Sequence, residues 1–335
     1  MHAIAKALFA LPRDRHLLAV SGGRDSMVLL DACLEFRPEA VVAVATFDHG
    51  TGVAAAEAVE LVVSECLRRG VPVVAGRAAG DGRRPADGDD PAAQGRELTT
   101  EGVQRTAYSF GSARPTEATW RANRWRFLRA VAEEHRATIA TAHTLDDQME
   151  TVAMRILRGA SARGLAAMAI RAKGITRPLL GVRRSDVAAY AAEREVRFVE
   201  DPSNASANYL RNRLRADLLQ AASDVRPGFA AELCAIGERS ASWRRALAEL
   251  VDSLDVQVVG PALVVAASAF DGVEVPGRAV LWPELVGRLG LTMDRRGVAR
   301  AAAWSMTARA GQRMPLSGGA SIERTARTFV IRPAF

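Results

Sequence analysis

The stretch that decides the fold is HLLAVSGGRDSMVLLDACLEF, residues 16–36. A short apolar run ends at Val20, a turn of two glycines and two serines follows, and an apolar pattern of helical spacing then begins near Asp25. A strand that enters a helix through such a turn presents free backbone N–H groups at the helix N-terminus, where phosphate binds. The alternative is a structural bend, because glycine and serine are also common turn residues. The sequence contains neither a Walker A motif nor a G-x-G-x-x-G fingerprint at this turn.

Strand-like and helix-like segments alternate through the first half of the chain. The strand-like runs are 17–20, 41–47, 71–75 and 138–142. The helix-like segments are 25–36, 54–69, 117–135 and 145–158. This alternation predicts an α/β fold, with a parallel sheet covered by helices on both faces. In such a sheet, ligands bind beyond the carboxyl ends of the strands.

The rest of the chain is less regular. Residues 79–116 are rich in Gly, Asp, Pro and Arg and predict a disordered or mobile surface insertion. RPLL at 177–180 is strand-like and precedes a further helix, whereas helical patterns dominate beyond about residue 217. The C-terminal stretch predicts a hairpin around two adjacent glycines. We therefore expect two domains, a larger α/β domain over 1–217 and a smaller, mainly helical domain over 218–335.

A second motif, ATFDHG, closes the second strand-like run. Asp48 and His49 follow that run directly, so in a parallel sheet they lie on the same edge as SGGRDS. Asp-His-Gly is also a plausible turn, and both interpretations remain open.

A third motif, AHTLDDQMET, follows the fourth strand-like run. Thr144 can cap the next helix, and acidic residues in a first helical turn are favoured by the helix dipole. Capping explains one acid better than it explains His143, Asp146, Asp147, Gln148 and Glu150 together. Since residues three or four apart share a helix face, a first-turn aspartate and Glu150 can point at one sheet edge. Such carboxylates can hold Mg²⁺ against a triphosphate or orient an amine nucleophile. The three motifs together predict a nucleotide site.

The composition is that of a soluble globular protein, with 49% hydrophobic and 25% charged residues. No apolar run of about 18 residues is present, and the N-terminal segment lacks the features of a signal peptide, so we expect no membrane association. The three scattered cysteines give no disulfide framework or cysteine metal site, and they fit a reducing compartment. We therefore expect a cytoplasmic protein.

The charge distribution indicates an anionic partner. The formal net charge is +7, and residues 151–185 contain eight basic residues and no acid. A solvated basic face is the alternative, but a track for a phosphate backbone fits better beside a nucleotide site. Arg158 and Arg163 lie beside glycines in a loop suited to approach a flipped base.

Taken together, the motifs resemble a known family. SGGRDS after the first strand resembles the phosphate-binding loop of the PP-loop ATP-pyrophosphatase superfamily. Further segments in chain order are similar to the tRNA(Ile)-lysidine synthetase family: EATWRANRWRFL (117–128), RILRGASARGLAAM (155–168), RPLL (177–180) and EDPSNASANYLRNRLR (200–215). The resemblance covers about residues 1–217, and the remainder resembles the helical C-terminal domain of that family only loosely.

The resemblance implies a reaction. ATP adenylates the C2 carbonyl oxygen of the wobble cytidine in a tRNA(Ile) with a CAU anticodon, and pyrophosphate is released. The ε-amino group of free L-lysine then displaces AMP and leaves lysidine. The implied cofactors are ATP and Mg²⁺, and the implied partners are that tRNA and lysine, with no glutaminase subunit.

The resemblance also assigns site residues. ATP binding falls to Ser21, Gly22, Gly23, Arg24, Asp25, Ser26, Asp48 and His49, with Asp25 near Mg²⁺. The candidates for the reactive centre are Asp25, His143, Asp147 and Glu150, without a single assigned general base. Contacts to tRNA are expected from Arg121, Arg124, Arg158, Arg163, Arg177, Arg211, Arg213 and Arg215. For any one of these arginines, an ordinary surface or salt-bridged role is the alternative.

The chain departs from the family pattern in three places. Thr51-Gly52 stand where Leu-Arg is usual, Trp125 stands where Tyr is usual, and the 79–116 spacer is longer. Three other functions are the alternatives. A thiolating PP-loop enzyme is disfavoured because it uses paired cysteines or an iron–sulfur cluster. A non-catalytic RNA-binding relative would bind tRNA without turning over ATP. An amidotransferase domain is disfavoured because His2, not a nucleophile, follows Met1.

Overall fold

The computed structural model describes residues 3–48, 50, 52–78, 96–98, 104–108, 117–200 and 213–334. Contacts divide the chain into two compact units, Met1–Glu238 and Arg239–Phe335. The domain boundary at residue 217 stays a prediction. Among the described helices, none combines the length and the hydropathy needed to cross a bilayer.

The first unit alternates strands with helices, as the sequence predicts. Its strands are β1 (His16–Ala19), β2 (Val41–Asp48), β3 (Val73–Ala78), β4 (Arg96–Leu98), β5 (Gln104–Tyr108), β6 (Thr138–Ala140), β7 (Arg171–Ala172) and β8 (Ile175–Thr176). Its helices are α1 (Ala3–Phe9), α2 (Arg24–Phe36), α3 (Val53–Arg68), α4 (Glu117–Glu134), α5 (Leu145–Leu157), α6 (Arg184–Glu193) and α7 (Gln220–Val225). Helix α8 (Phe229–Ser253) includes the division between the units.

The strands form one sheet in the order β4-β5-β3-β2-β1-β6-β8-β7. The six inner strands, β5, β3, β2, β1, β6 and β8, are parallel. Strand β4 pairs antiparallel with β5 at one border of the sheet, and β7 pairs antiparallel with β8 at the other. This confirms the predicted parallel α/β fold. From β1 the chain continues to β2 on one side, and from β6 it continues to β8 on the other. The carboxyl ends of β1 and β6 therefore flank the topological switch point, where open α/β sheets bind ligands.

Alternate residues of β1 pack on opposite faces of the sheet. Leu18 lies in a core formed with α1, α2, α3 and α6, whereas Leu17 lies in a core formed with α4. Because side chains of a strand alternate between faces, a strand buried on both sides reads as a continuous apolar run. On the α4 side, the rings of Phe47 and Phe127 lie 5.4 Å apart. Helices thus cover both faces of the sheet, which leaves the carboxyl ends of the strands at the switch point as the place for a binding site.

Two sequence predictions need correction. The segment 79–116 is not an insertion without regular structure, because β5 pairs with β3 and β4 pairs with β5. These strands carry polar residues on the border of the sheet, so they show no hydrophobic period; the other residues of the segment lie outside the described residues. RPLL is a turn rather than a strand, with the Leu180 N–H donating to the Arg177 carbonyl and Pro178 at the favoured second position.

The second unit contains helices and an antiparallel sheet. Its strands are β9 (Val256–Val259), β10 (Ala262–Ala266), β11 (Arg313–Pro315), β12 (Ser321–Arg324) and β13 (Thr328–Arg332), in the order β11-β12-β13-β10-β9. Its further helices are α9 (Val275–Gly287) and α10 (Arg295–Thr307). The predicted hairpin is present, since β11 and β12 pair around Ser317–Gly319. The pairing of β9 with β10 and of β10 with β13 escapes sequence analysis, because such short strands have no distinctive period.

Candidate nucleotide site

The SGGRDS turn joins β1 to α2 at the switch point, and its shape requires glycine at position 22. Gly22 has a φ of +82°, and a Cβ atom there would lie 2.7 Å from the carbonyl oxygen of Ala58. The Gly22 carbonyl accepts a hydrogen bond from the Val199 N–H at 3.0 Å, so a residue distant in sequence also fixes the turn. Gly23 is the N-cap of α2, and among the described residues no side chain caps this helix end. The first N–H groups of α2 are therefore available to an anion.

Ser26 shapes the turn from within. Its hydroxyl donates to the Gly23 carbonyl at 2.8 Å and accepts from the Ser21 N–H at 3.1 Å. The hydroxyls of Ser21 and Ser26 lie 3.2 Å apart. Ser26 is buried and Ser21 is exposed, so the Ser21 side chain is the one of the two that faces an incoming ligand.

Asp25 lies in the first turn of α2. Its Oδ2 is 3.6 Å from Arg184 Nε, and its Oδ1 is 3.6 Å from Arg24 Nε. Burial raises the pKa of Asp25, and the two guanidinium groups oppose that effect. The Oδ1 atom is buried and has no hydrogen-bond partner among the described residues. A buried carboxylate oxygen without a hydrogen-bond partner costs free energy unless a bound ligand supplies the missing contact.

Two acids at the start of α5 hold helix ends. Asp147 Oδ2 accepts from the Thr144 N–H at 2.8 Å and from its hydroxyl at 3.0 Å, which fixes the first turn of α5. Asp146 Oδ2 accepts from the Arg184 backbone N–H at 2.7 Å and so caps α6. Capping thus accounts for Asp146 and for Oδ2 of Asp147, whereas the second carboxylate oxygen of Asp147 points elsewhere. That atom, Oδ1, lies 3.2 Å from Arg184 Nη2.

Glu150 completes the group of acids. It is only 1% exposed, and its Oε1 accepts from Arg184 Nη1 at 3.1 Å and from Arg215 Nε at 2.7 Å. We call Asp25, Asp147 and Glu150 the acid cluster, since one guanidinium group, that of Arg184, lies among all three. The cluster joins the helices that follow β1 and β6, as the spacing of the motifs predicts.

Arg184 is the member of this site that sequence analysis misses. In the sequence it is one of eight basic residues between 151 and 185, and nothing local separates it from the others. Attraction to Asp147, Glu150 and Asp25 raises its pKa despite burial. The one available signal is its position at the start of a helix that follows a strand and a turn, which places it on the binding edge of the sheet.

The remaining candidates on this edge have local partners. His143 Nδ1 and Thr141 Oγ1 are hydrogen-bonded at 2.8 Å just before α5. Asp48 is buried, and its Oδ1 accepts from the Gly50 N–H at 2.7 Å, which supports the turn interpretation of that motif. His49 lies outside the described residues.

The arginines expected to contact tRNA fall into different environments. Those exposed are Arg121, Arg158, Arg213 and Arg215. Those half-buried are Arg124, Arg163 and Arg177. Arg177 donates to the Ala169 carbonyl at 2.8 Å, and burial lowers the pKa of both Arg124 and Arg177. Arg215 binds Glu150 and so adjoins the acid cluster, whereas Arg211 lies outside the described residues.

The basic loop that follows α5 is anchored by a residue with no role assigned from the sequence. Gln148 Nε2 donates to the Met168 carbonyl at 2.8 Å, and its Oε1 accepts from the Met168 N–H at 2.7 Å. Arg155 donates to the Ala166 carbonyl as well. The loop between Arg158 and Met168 is therefore held by side chains of the same helix that carries two members of the acid cluster.

A comparison with known protein families identifies the family of this chain. Its profile, described as a PP-loop domain, matches residues 2–222. The chain belongs to the PP-loop family. The SGGRDS turn, which the sequence predicts to bind phosphate, is called the PP-loop below.

Two of the similar curated proteins carry the same name. A tRNA(Ile)-lysidine synthase from Geobacter sulfurreducens is 33% identical over 248 residues, covering 72% of this chain and 47% of the relative. Another, from Ralstonia nicotianae, is 34% identical over 275 residues, covering 81% of this chain and 54% of the relative. The chain thus spans about half the length of these relatives.

A solved structure supports the fold. The tRNA thiolase NcsA from Methanococcus maripaludis matches with a TM-score of 0.51 and 16% identity, covering 71% of this chain and 77% of that one. At this level of identity the likeness concerns the PP-loop fold alone.

Proposed function

We propose that this chain is a tRNA(Ile)-lysidine synthetase that joins L-lysine to the C2 position of the wobble cytidine of tRNA(Ile), with ATP as the third substrate. The observation that carries the proposal is the acid cluster directly beside the PP-loop at the switch point. A phosphate cradle next to buried and half-buried carboxylates suits a reaction between a nucleotide and a cationic amine. The names of the similar curated proteins support the choice of tRNA and lysine.

ATP would be held mainly by backbone groups. The uncapped N-terminus of α2 offers N–H donors and a positive dipole end to the phosphates, and Gly22 lets the backbone approach closely. The exposed Ser21 adds a hydroxyl donor. These donors are in place before the reaction, so they also stabilise the charge that develops on the departing pyrophosphate.

Mg²⁺ fits this site through Asp25. Within the described ranges, no three His, Cys, Asp or Glu side chains are arranged to hold a metal by themselves. A nucleotide-bound Mg²⁺ needs only one or two carboxylates, because phosphates and waters supply its other ligands. The buried Oδ1 of Asp25, which has no hydrogen-bond partner in the described structure, suits that role. When bound, the ion would neutralise phosphate charge.

The chemistry then proceeds in two steps. The C2 oxygen of cytidine attacks the α-phosphorus of ATP, the bond to the β-phosphate oxygen breaks, and pyrophosphate leaves. The ε-amine of lysine next attacks C2, the C2–O bond breaks, and AMP leaves with that oxygen. The amine gives up protons as the new C–N bond forms, so the balance closes with lysidine, AMP and pyrophosphate.

The acid cluster serves the lysine. Free lysine is protonated at neutral pH, since its reference pKa is about 10.4, and an ammonium group is not a nucleophile. Carboxylates that bind the ammonium place it beside the nucleotide, and a basic group must then accept its proton. Asp147, Glu150 and His143 lie on the segment that ends β6 and begins α5, where such groups are required.

The cysteines favour this reaction over tRNA thiolation. Burial raises the pKa of Cys33 and Cys66 to about 12, and burial raises the pKa of Cys234 as well. The thiolate is the nucleophile and metal ligand, so such thiols are unreactive at neutral pH. All three cysteines are free and none is in a pair.

The test is pyrophosphate release by the purified chain with ATP, Mg²⁺ and unmodified tRNA(Ile) bearing a CAU anticodon, with and without lysine. The product tRNA is digested to nucleosides and weighed by mass spectrometry. We expect lysine-dependent turnover and a cytidine that has gained lysine with loss of water. Asp25→Ala should abolish turnover while tRNA affinity stays nearly unchanged. Turnover with another amine or with a sulfur donor would retain the PP-loop chemistry but reject lysidine; tight tRNA binding without turnover would favour a non-catalytic relative.

A further inference from the structure

Arg184 occupies the position among the three carboxylates that a cationic substrate would take. Its three guanidinium nitrogens lie at 3.6, 3.2 and 3.1 Å from carboxylate oxygens of Asp25, Asp147 and Glu150 respectively. A guanidinium fork surrounded by carboxylates mimics the contacts that an ammonium group would make. In this structure the acid cluster is therefore already neutralised by the protein itself.

This arrangement conflicts with direct binding of lysine. Three carboxylates already face three guanidinium groups, those of Arg24, Arg184 and Arg215. A second cation entering beside Arg184 would meet a like charge a few ångströms away in a half-buried site, where repulsion is weakly screened. Lysine can bind the cluster well only if Arg184 moves or is neutralised by another ligand.

ATP would supply that ligand. Asp25 belongs to both the acid cluster and the first turn of α2, whose N-terminus is the PP-loop. Phosphates in the PP-loop would therefore lie next to Arg184, and a planar guanidinium group binds phosphate oxygens in bidentate fashion. The Arg184 side chain could reach them without unfolding α6, because its backbone N–H remains bonded to Asp146.

We propose that the Arg184 side chain occupies the cation site of the acid cluster when no substrate is bound. Binding of ATP draws this side chain away, so that lysine binds after ATP. The inference rests on the proposed function. Arg184 is thus a positioning residue that couples two substrate sites through one side chain. Because coupling is reciprocal, lysine should tighten nucleotide binding by the same factor by which nucleotide tightens lysine binding.

The experiment measures binding of radiolabelled lysine to the full chain at pH 8 by equilibrium dialysis, with and without α,β-methylene-ATP and Mg²⁺. In the unaltered protein we expect the analogue to tighten lysine binding about tenfold or more, within the usual range of coupling. In Arg184→Gln, lysine should bind without nucleotide, and the coupling factor should fall to about one. Arg184→Lys, which keeps a cation, should retain part of the coupling.

The matched control is Arg197→Gln, which removes an exposed arginine that follows the same helix. It should retain the coupling of the unaltered protein. Thermal unfolding of each variant reports whether the fold is retained, and the backbone bond from Arg184 to Asp146 is common to all of them.

Two results would overturn the inference while leaving the proposed function intact. One is equal lysine affinity with and without nucleotide in the unaltered protein, and the other is undiminished coupling in Arg184→Gln. Absence of lysine binding in every state, together with no lysine-containing nucleoside from the turnover assay, would overturn the proposed function as well. Lysine-dependent turnover is thus the result that separates the two failures.

Discussion

Gln148 and Met168 are joined by a pair of hydrogen bonds, one from the side-chain amide to the carbonyl and one from the backbone N–H to the amide oxygen. Gln148 is buried on α5 between Asp147 and Glu150 in sequence, so one turn of helix carries both the acids and the anchor of the basic loop. The position of the loop and the position of the acids are therefore set by the same helix.

Replacing Gln148 should loosen the basic loop without disturbing the PP-loop. Gln148→Leu leaves the Met168 N–H and carbonyl without their partners, at a local loss of about 1–3 kcal/mol. We expect several-fold weaker tRNA binding and unchanged nucleotide binding, measured by filter binding and by a fluorescent ATP analogue. Gln220→Leu, at an exposed glutamine, is the control. Equal tRNA affinity in both variants would show that the anchor is not needed for binding.

Gly22 should not tolerate a side chain. Gly22→Ala combines a positive φ with a contact of 2.7 Å to the backbone of Ala58, so we expect a loss of stability of about 1–3 kcal/mol and weaker nucleotide binding. Gly181→Ala is the control, because its Cβ would meet open space. Chemical denaturation measures both. A Gly22→Ala protein as stable as Gly181→Ala would contradict the close packing of the PP-loop against α3.

Arg158 tests the proposed tRNA track. Arg158 is exposed at the end of α5, and Arg158→Ala should weaken tRNA binding and reduce the slope of log affinity against log salt by about one. Arg136→Ala is the control, because Arg136 precedes the start of β6 and so lies at the opposite edge of the sheet. The same slope in both variants would place the track elsewhere.

Asp31 should be essential for stability rather than for activity. This buried residue of α2 accepts from Tyr190 at 2.8 Å on α6 and pairs with Arg69, which follows α3, so it ties three elements together. Asp31→Ala leaves those partners without their acceptor and should lower the free energy of unfolding by about 3–5 kcal/mol. Tyr190→Phe, which removes one bond, should lower it by about 1 kcal/mol. Similar losses in the two variants would mean that the ion pair contributes little.

His16 should make stability depend on pH. Burial lowers the pKa of this residue below its usual 6.5, with Arg37 and Arg171 acting in the same direction and Asp14 in the opposite one. The unfolded chain therefore takes up a proton first, so the contribution of His16 is complete above about pH 6.5 and is lost as pH falls towards the folded pKa. The slope from this residue is at most about 1.4 kcal/mol per pH unit. Unfolding between pH 5 and 8 should show a flatter profile for His16→Leu, and parallel profiles would contradict the prediction.

Local patterns account for much of the fold and for part of the site. The alternation of short apolar runs with helical patterns predicts the parallel sheet, because each signal depends on neighbouring residues only. Turn chemistry likewise predicts the glycine turn at Gly22 and the helix start at Thr144. In contrast, β5 and β4 carry polar sequences that form strands only because β3 offers a partner to β5 and β5 offers one to β4, and RPLL is apolar enough to imitate a strand.

The sequence by itself determined that SGGRDS and AHTLDDQMET would lie on one edge of the sheet, because the carboxyl ends of parallel strands share that edge. The structure adds that β1 and β6 are neighbours there. Only the tertiary structure decided what lies between them. Arg184 reaches the acid cluster from a helix that follows Glu150 by 34 positions, and Gln148 anchors a loop 20 positions further along the chain. Such contacts depend on how helices pack on the sheet, and no local spacing in the sequence encodes that packing.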